Sequence, residues 1–266
     1  NTLGLFEKDV GEIQKMVHEA GSLLYYDGAN LNAIMGKTKP GAMGFDVVHF
    51  NLHKTFSTPH GGGGPGAGPI GVKEFLKDYL PVPVVAKGHD GFYFDYQLPK
   101  TIGMVQATQG SFLVLLRAYA YIVQKGADGL TEATERAVLN SNYVMKRLEK
   151  AVHIPHAGWR KHEFVASAKE LAVQRGIHAT DVAKFMLDNG IHSPTVYFPL
   201  IVPEAMMVEP TESASKEELD ELVEVMTAAF ERAGADNPEN LARRRVDETL
   251  AARKPILSEL MERMKA

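Results

Sequence analysis

The chain contains the run Val47-Val48-His49-Phe50-Asn51-Leu52-His53-Lys54-Thr55-Phe56, and the run His60-Gly61-Gly62-Gly63-Gly64-Pro65-Gly66 follows it almost at once. The apolar start of the first run predicts a buried strand that delivers Lys54 to a glycine loop. A lysine at the end of a strand, before backbone that can approach a ligand closely, is well placed to form a Schiff base. These two runs therefore predict a covalent cofactor site.

The flanking sequence predicts the sheet that holds this site. Apolar residues at helical spacing predict a helix over residues 7–20, and Leu23-Leu24-Tyr25-Tyr26 is typical of a buried strand that Asp27 closes. Residues 70–72 predict a third strand that runs into a helix. This rhythm indicates an α/β fold with a largely parallel sheet. Because open parallel sheets bind ligands beyond the carboxyl ends of their strands, Asp27 and Lys54 both lie where a ligand is expected.

An aspartate and a lysine at neighbouring strand ends point to pyridoxal phosphate. Enzymes that use this cofactor need a lysine for the imine and an acid beside the pyridinium nitrogen, and Lys54 and Asp27 supply both. Ala29 is small enough to pack under the cofactor ring. Taken alone, Asp27 in an Asp-Gly pair is most often a turn residue, and Lys54 is most often solvated. In combination with the glycine run, the cofactor site is the leading interpretation.

The histidines and the glycine run leave alternatives open. His53 is interpreted as a phosphate or ring contact, and a structural histidine is its rival at even odds. His49 and His53 have the spacing of two metal ligands on a helix, but the segment is a strand, so no metal site is predicted. Residues 61–64 could hold a phosphate through backbone amides or form a lid. Four other histidines are interpreted as structural: His60, His156, His162 and His192.

The remaining sequence predicts a second, smaller unit. Residues 81–99 are expected to be a long loop, residues 111–124 an apolar helix at a subunit interface, and residues 130–152 an amphipathic helix. After residue 155 the pattern is that of a small α+β domain, with strands at 163–166, 195–200 and 206–208 and a helix at 180–188. Ser215 and Glu218 form a capping box for a helix that reaches roughly Ala233. The predicted domains are residues 1–152, part of a large cofactor-binding domain, and residues 153–266.

Composition restricts the function classes. The chain has 266 residues, a hydrophobic fraction of 45%, a formal net charge of −4 and no cysteine. This charge does not favour nucleic acid, no stretch is apolar enough for a membrane span, and the absence of cysteine fits a cytoplasmic protein. No Gly-x-Gly-x-x-Gly follows a strand, so a dinucleotide-binding dehydrogenase is not predicted. The basic residues between 243 and 254 are interpreted as a solvated helical face.

Several motifs together make the chain resemble the glycine-cleavage P-protein, glycine dehydrogenase (decarboxylating). They are Asn1-Thr2-Leu3-Gly4-Leu5-Phe6-Glu7, Tyr26-Asp27-Gly28-Ala29-Asn30, Asn51-Leu52-His53-Lys54-Thr55-Phe56, the glycine run, and Val208-Glu209-Pro210-Thr211-Glu212 leading into Ser215-Lys216-Glu217-Glu218-Leu219. The run Arg117-Ala118-Tyr119-Ala120-Tyr121-Ile122 is similar to the second, lysine-bearing subunit of the two-subunit form. These motifs cover nearly the whole chain.

The resemblance implies a type I pyridoxal phosphate fold with Lys54 as the Schiff-base lysine and Asp27 as the pyridinium partner. It also implies that four further residues contact the cofactor: Ala29, Asn51, His53 and Thr55. The implied reaction decarboxylates glycine and transfers the aminomethyl group to the lipoyl group of H-protein. The implied partners are lipoylated H-protein and the other (alpha) P-protein subunit, and the family suggests an oligomer.

The resemblance further implies that these residues are the carboxyl-terminal portion of a longer subunit. In the family, a long preceding stretch supplies the rest of the sheet and the phosphate-binding loops. The missing amino-terminal portion would then be a partner of the site, and the isolated chain is expected to hold cofactor weakly. Two alternatives remain. One is another type I enzyme, such as a cysteine desulfurase or an amino-acid decarboxylase, and the other is a non-catalytic assembly subunit.

Overall fold

A computed structural model describes residues 1–60, 64–156 and 158–232 of the chain. Its helices are α1 (Val10–Glu19), α2 (Leu52–Thr55), α3 (Phe112–Leu148), α4 (Lys169–Arg175), α5 (Ala179–Asp188) and α6 (Lys216–Arg232). Its strands are β1 (Tyr25–Gly28), β2 (Val47–Phe50), β3 (Ile70–Val72), β4 (Val84–Gly88), β5 (Gly91–Asp95), β6 (Phe164–Ser167), β7 (Thr195–Val196) and β8 (Ala205–Val208). Short 3-10 helices cover Pro40–Met43 and Glu74–Tyr79. Within the described ranges, no helix has both the length and the apolar character that crossing a membrane requires.

The first sheet has the order β1-β2-β3 and confirms the three strands predicted from the sequence. β1 pairs with β2 in parallel, with Tyr25 opposite Val47 and Asp27 opposite His49. β3 differs from the expected parallel arrangement because it pairs with β2 in the antiparallel direction. Between β2 and β3, the described residues contain the single helical turn α2 and no longer crossover helix of the kind that joins parallel strands.

Residues 81–99 were expected to be a loop, and this prediction is wrong. β4 and β5 form an antiparallel hairpin in which Val85 lies opposite Phe94 and Gly88 opposite Gly91. Both strands are largely exposed, including Phe92 and Tyr93. Because neither face is buried, the sequence lacks the apolar and polar alternation by which a half-buried strand is recognised.

The helices predicted over residues 111–124 and 130–152 are joined in α3. The junction is Gly126, whose φ of 61° and ψ of −173° interrupt the helical backbone. Glycine adopts this conformation without the steric penalty of a Cβ atom. Before the junction, the apolar side chains of Phe112, Leu113 and Tyr119 are exposed. After it, Val144 and Leu148 are fully buried.

The carboxyl-terminal part contains the largest core of the described residues. The antiparallel sheet β6-β8-β7 packs with α5, α6 and the end of α3 around Phe164, Met206 and Met226. The predicted capping box of α6 is confirmed: the Ser215 N–H donates to Glu218 Oε2 at 2.7 Å, and the Glu218 N–H donates to Ser215 Oγ at 3.2 Å. The core reaches back to Val144. A domain boundary at residue 152 stays a prediction.

Several predictions fall outside the described residues. They are residues 61–63 of the glycine run, the end of the last helix at Ala233, and the basic segment between residues 243 and 254.

Asp46 connects α1 to the first sheet through a buried carboxylate that is 2% exposed. His18 Nε2 of α1 lies 2.7 Å from Asp46 Oδ2, the Leu24 N–H donates to the same oxygen at 2.8 Å, and Lys73 Nζ lies 3.3 Å from Oδ1. Burial by itself would raise the pKa of Asp46. The Leu24 N–H, His18 and Lys73 outweigh burial and lower the pKa below its ordinary value.

We expect Asp46→Asn to lower the free energy of unfolding by about 2–3 kcal/mol near neutral pH, because it removes charge-assisted hydrogen bonds. A lowered folded-state pKa means that this stabilisation is complete above the unfolded value of about 4 and is lost as pH falls through the folded value. The difference in unfolding free energy between the two proteins, measured by urea unfolding, should therefore shrink progressively as pH falls below about 4. The fully exposed Asp90 is the control, and Asp90→Asn should leave the free energy of unfolding unchanged at neutral and at acid pH. A difference independent of pH would contradict the role assigned to the charge.

Candidate active site

Asp27 lies in β1 near the carboxyl end of the strand. Its Oδ1 accepts the Ala29 N–H at 3.2 Å and lies 3.3 Å from His49 Nε2 on β2. The Tyr25 hydroxyl group lies 2.7 Å from the other ring nitrogen of His49. These contacts orient the carboxylate, although its side chain is 74% exposed. The exposed carboxylate can therefore still meet a ligand.

Lys54 lies in α2, the single helical turn that follows β2, and not at the strand end that was predicted. Leu52 and Thr55 of this turn are buried, whereas Lys54 is exposed. The Leu31 N–H donates to Thr55 Oγ1 at 2.8 Å, and the Asn51 N–H donates to the Ala29 carbonyl at 3.2 Å. These bonds tie α2 to the loop after β1, so the lysine is held beside the loop that carries Ala29.

Three of the six predicted cofactor residues line one cavity of about 650 Å³: Lys54, Asp27 and Ala29. Asn51 and Thr55 make the backbone and side-chain bonds that fix α2. The His53 ring lies 4.0 Å from the His60 ring, centroid to centroid, and its buried Nδ1 has no hydrogen-bond partner. Burial, followed by the charges of His60 and Lys54, lowers the pKa of His53.

The same cavity wall also carries a cluster of His162, Glu163 and Glu209, which we call the His162 cluster. His162 Nε2 lies 3.8 Å from Glu163 Oε2 and 3.7 Å from Glu209 Oε1. Sequence reasoning missed this cluster because His162 was interpreted as structural. The sequence feature that could have indicated the cluster is the adjacent pair His162-Glu163 together with the later Glu209. No spacing rule links these three residues.

The electrostatics of the cluster follow from its burial. Burial raises the pKa of Glu163 to about 7, and the charge of Glu209 contributes in the same direction. Burial also raises the pKa of Glu209, while hydrogen bonds from Asn30 act against the shift. Burial lowers the pKa of His162 to about 4. The ring is therefore neutral near pH 7, and two carboxyl groups lie close beside it.

The cavity residues fit pyridoxal phosphate in two of the three features that this cofactor requires. Lys54 supplies an exposed primary amine, and Asp27 supplies an exposed carboxylate for the ring nitrogen. The cavity volume is in the range of small-molecule sites, about 300–1,000 Å³. The third feature is a set of donors for the phosphate. Residues 61–64 are one candidate for it, of which residues 61–63 lie outside the described residues, and the resemblance assigns the phosphate-binding loops to a preceding stretch.

Comparison with protein families and curated proteins gives consistent matches. The family model described as "Glycine dehydrogenase, C-terminal domain" matches residues 133–248. The protein named "Probable glycine dehydrogenase (decarboxylating) subunit 2" of Pyrococcus abyssi is 57% identical over 97% of this chain and 53% of its own length. The protein of the same name from Thermoplasma volcanium is 57% identical over 95% of this chain and 53% of its own length. The chain thus spans about half the length of the curated relatives it matches.

Solved structures share the fold at low sequence identity. A crystal structure of glycine decarboxylase (P-protein) of the glycine cleavage system, in inhibitor-bound form, matches with a TM-score of 0.71 at 22% identity, over 85% of this chain and 52% of that one. The apo structure of a cysteine desulfurase from Thermococcus onnurineus matches with a TM-score of 0.63 at 17% identity, over 87% of this chain and 58% of that one.

Proposed function

The chain is a relative, along nearly its whole length, of the second subunit of glycine dehydrogenase (decarboxylating), and we propose that it is the lysine-bearing part of such an enzyme. The predicted fold class, α/β of the type I pyridoxal phosphate kind, is confirmed by the matching structures. The observation that carries the proposal is the meeting of Lys54, Asp27 and Ala29 in one cavity.

In this proposal each of the three cavity residues has one task. Lys54 Nζ binds the cofactor covalently, since it is exposed to the cavity on a fixed helical turn. The Asp27 carboxylate, oriented by the Ala29 N–H and His49, holds a proton on the pyridine nitrogen. The Ala29 methyl group supports one face of the ring. Asn51 and Thr55 hold α2 in position, and His53 remains the proposed phosphate or ring contact.

When bound, pyridoxal phosphate supplies an electron sink for the carbon from which carbon dioxide is lost. The chain would keep that sink positively charged through Asp27 and would hold the cofactor through the Lys54 amine. The proposed substrate is glycine, and the proposed acceptor of the aminomethyl group is the lipoyl group of H-protein. The other subunit and the rest of the sheet complete the site, and the location is proposed to be cytoplasmic.

The test is an assay of labelled carbon dioxide released from carboxyl-labelled glycine. It uses this chain joined to the amino-terminal portion of a relative, together with the alpha subunit and lipoylated H-protein. We expect release that depends on lipoylation, with H-protein lacking the lipoyl group as the matched control. Release from glycine without lipoylated H-protein would favour another decarboxylase. No release in the presence of a bound cofactor would favour a non-catalytic subunit.

A further inference from the structure

His162 is a buried histidine whose polar atoms lack partners within the protein. The residue is 5% exposed, and neither Nδ1 nor Nε2 has a hydrogen-bond partner among the described residues. Leaving a buried polar atom unpaired costs about 1–3 kcal/mol, so such an atom indicates a missing partner. Nε2 is directed at two carboxylates, at 3.8 Å from Glu163 and 3.7 Å from Glu209.

The two carboxylates are brought together by the pairing of β6 with β8. Phe164 lies opposite Val208, Val165 opposite Met207 and Ala166 opposite Met206. Continued one residue outward, this register places Glu163 opposite Glu209. Directly opposed carboxylates destabilise a pair of strands, so a cation bound between these two would stabilise the pairing.

We propose that the His162 cluster binds one divalent transition-metal cation of the zinc class. A neutral imidazole nitrogen and two carboxylate oxygens are ligands that zinc accepts, and three protein ligands leave a position for a further molecule. The ligand atoms lie within 4.8 Å of one another. Around one zinc ion they would lie roughly 3.3 Å apart, so small side-chain rotations close the site.

The surroundings of the cluster support a bound cation. The Asn30 and Asn32 amides donate to Glu209 Oε1 at 3.1 and 3.3 Å and orient this carboxylate, as outer partners of metal ligands do. Lys54 and Lys161 line the same cavity and oppose the cation. An ammonium group has only donors, whereas a metal ion can accept the lone pair of a neutral ring nitrogen, so we expect His162 to select a metal ion over an ammonium group.

The test is titration of the whole chain, without pyridoxal phosphate, with zinc chloride by calorimetry and with cobalt(II) by visible absorption. We expect one metal ion per chain and a cobalt spectrum of a low-coordinate site. His162→Ala should weaken binding by more than about 100-fold, since the loss of an outer partner alone costs 10–100-fold. The shape-conserving Glu163→Gln and Glu209→Gln should also weaken it, so a folding defect of His162→Ala would leave the test intact.

The matched control is His192→Ala, because His192 is exposed and its Nδ1 lies 2.9 Å from the carbonyl oxygen of the neighbouring Ser193. The site is supported if His192→Ala binds the metal as tightly as the wild type while the cluster variants lose binding. Equal binding in His192→Ala and in both glutamine variants, or no saturable binding to the wild-type chain, would overturn it. Because the cofactor is absent from the measurement, its outcome is separate from that of the glycine assay.

Discussion

Replacing Lys54 with alanine is expected to abolish the covalent phosphopyridoxyl adduct that borohydride traps on the chain. The reason is that Lys54 places its exposed amine in the cavity beside Asp27 and Ala29, and alanine offers no nitrogen for the imine. The measurement is a peptide mass map after reaction with pyridoxal phosphate and borohydride. It is made on the chain alone and on the chain joined to the amino-terminal portion of a relative.

Lys161 provides the matched control because it is a second lysine lining the same cavity. Lys161→Ala should keep the adduct on Lys54. An adduct only on the completed subunit would agree with the proposed chemistry and with a cofactor site that needs the other portion. If wild-type Lys54 stays unmodified in both forms, or if Lys161 carries the adduct, the role proposed for Lys54 is wrong.

Replacing Phe164 with alanine is expected to lower the free energy of unfolding by about 3–5 kcal/mol. Phe164 lies in β6 and is fully buried in the core that β6, β8, α5 and α6 share. Removal of its ring leaves a cavity that close-packed neighbours fill only in part. Equilibrium unfolding in urea, monitored by circular dichroism, measures the change at constant m-value.

Phe92→Ala is the comparison, since the Phe92 side chain is 76% exposed on the β4–β5 hairpin. This variant should differ from the wild type by less than about 0.5 kcal/mol. Equal destabilisation by both substitutions would mean that the carboxyl-terminal core does not limit stability. A cost below about 1 kcal/mol for Phe164→Ala would contradict the burial described here.

Sequence patterns located the elements that have an apolar run, an apolar helical stripe or a clear start signal. The strands β1 and β2 lie within two or three residues of their predicted bounds, and α5 begins one residue before its prediction. The start of α6 followed from Ser215 and Glu218, whose reciprocal bonds the structure contains. Helix caps and apolar runs are local patterns, so they can be recognised in a single sequence.

Two largely exposed elements were missed. The hairpin of β4 and β5 exposes most of its residues, and α4 has no buried residue at all. Such segments carry neither a strand alternation nor an apolar helical stripe. Gly126 was also not recognised as the junction of α3, because a glycine within a helical pattern does not reveal its own φ angle.

The candidate site shows the same division between local and distant information. Lys54, Asp27 and Ala29 could be grouped from short motifs, since each lies just after a predicted strand. The exposure of Lys54 could not be predicted from these motifs, because it depends on which side of α2 is buried. The His162 cluster depends on the pairing of β6 with β8, which brings together residues 46 positions apart in sequence, Glu163 and Glu209. No local pattern encodes that register.

The anchoring of α2 determines the entropic cost of capturing a cofactor. The backbone around Lys54 is already ordered by the Leu52 N–H bond to the Ala67 carbonyl at 3.0 Å and by the Leu31 N–H bond to Thr55 Oγ1 at 2.8 Å. A flexible loop would lose about 1–2 kcal/mol of conformational entropy for every residue fixed on binding. Here only the side chain of Lys54 remains to be ordered, at about 2 kcal/mol. Folding has thus preorganised the amine for covalent capture.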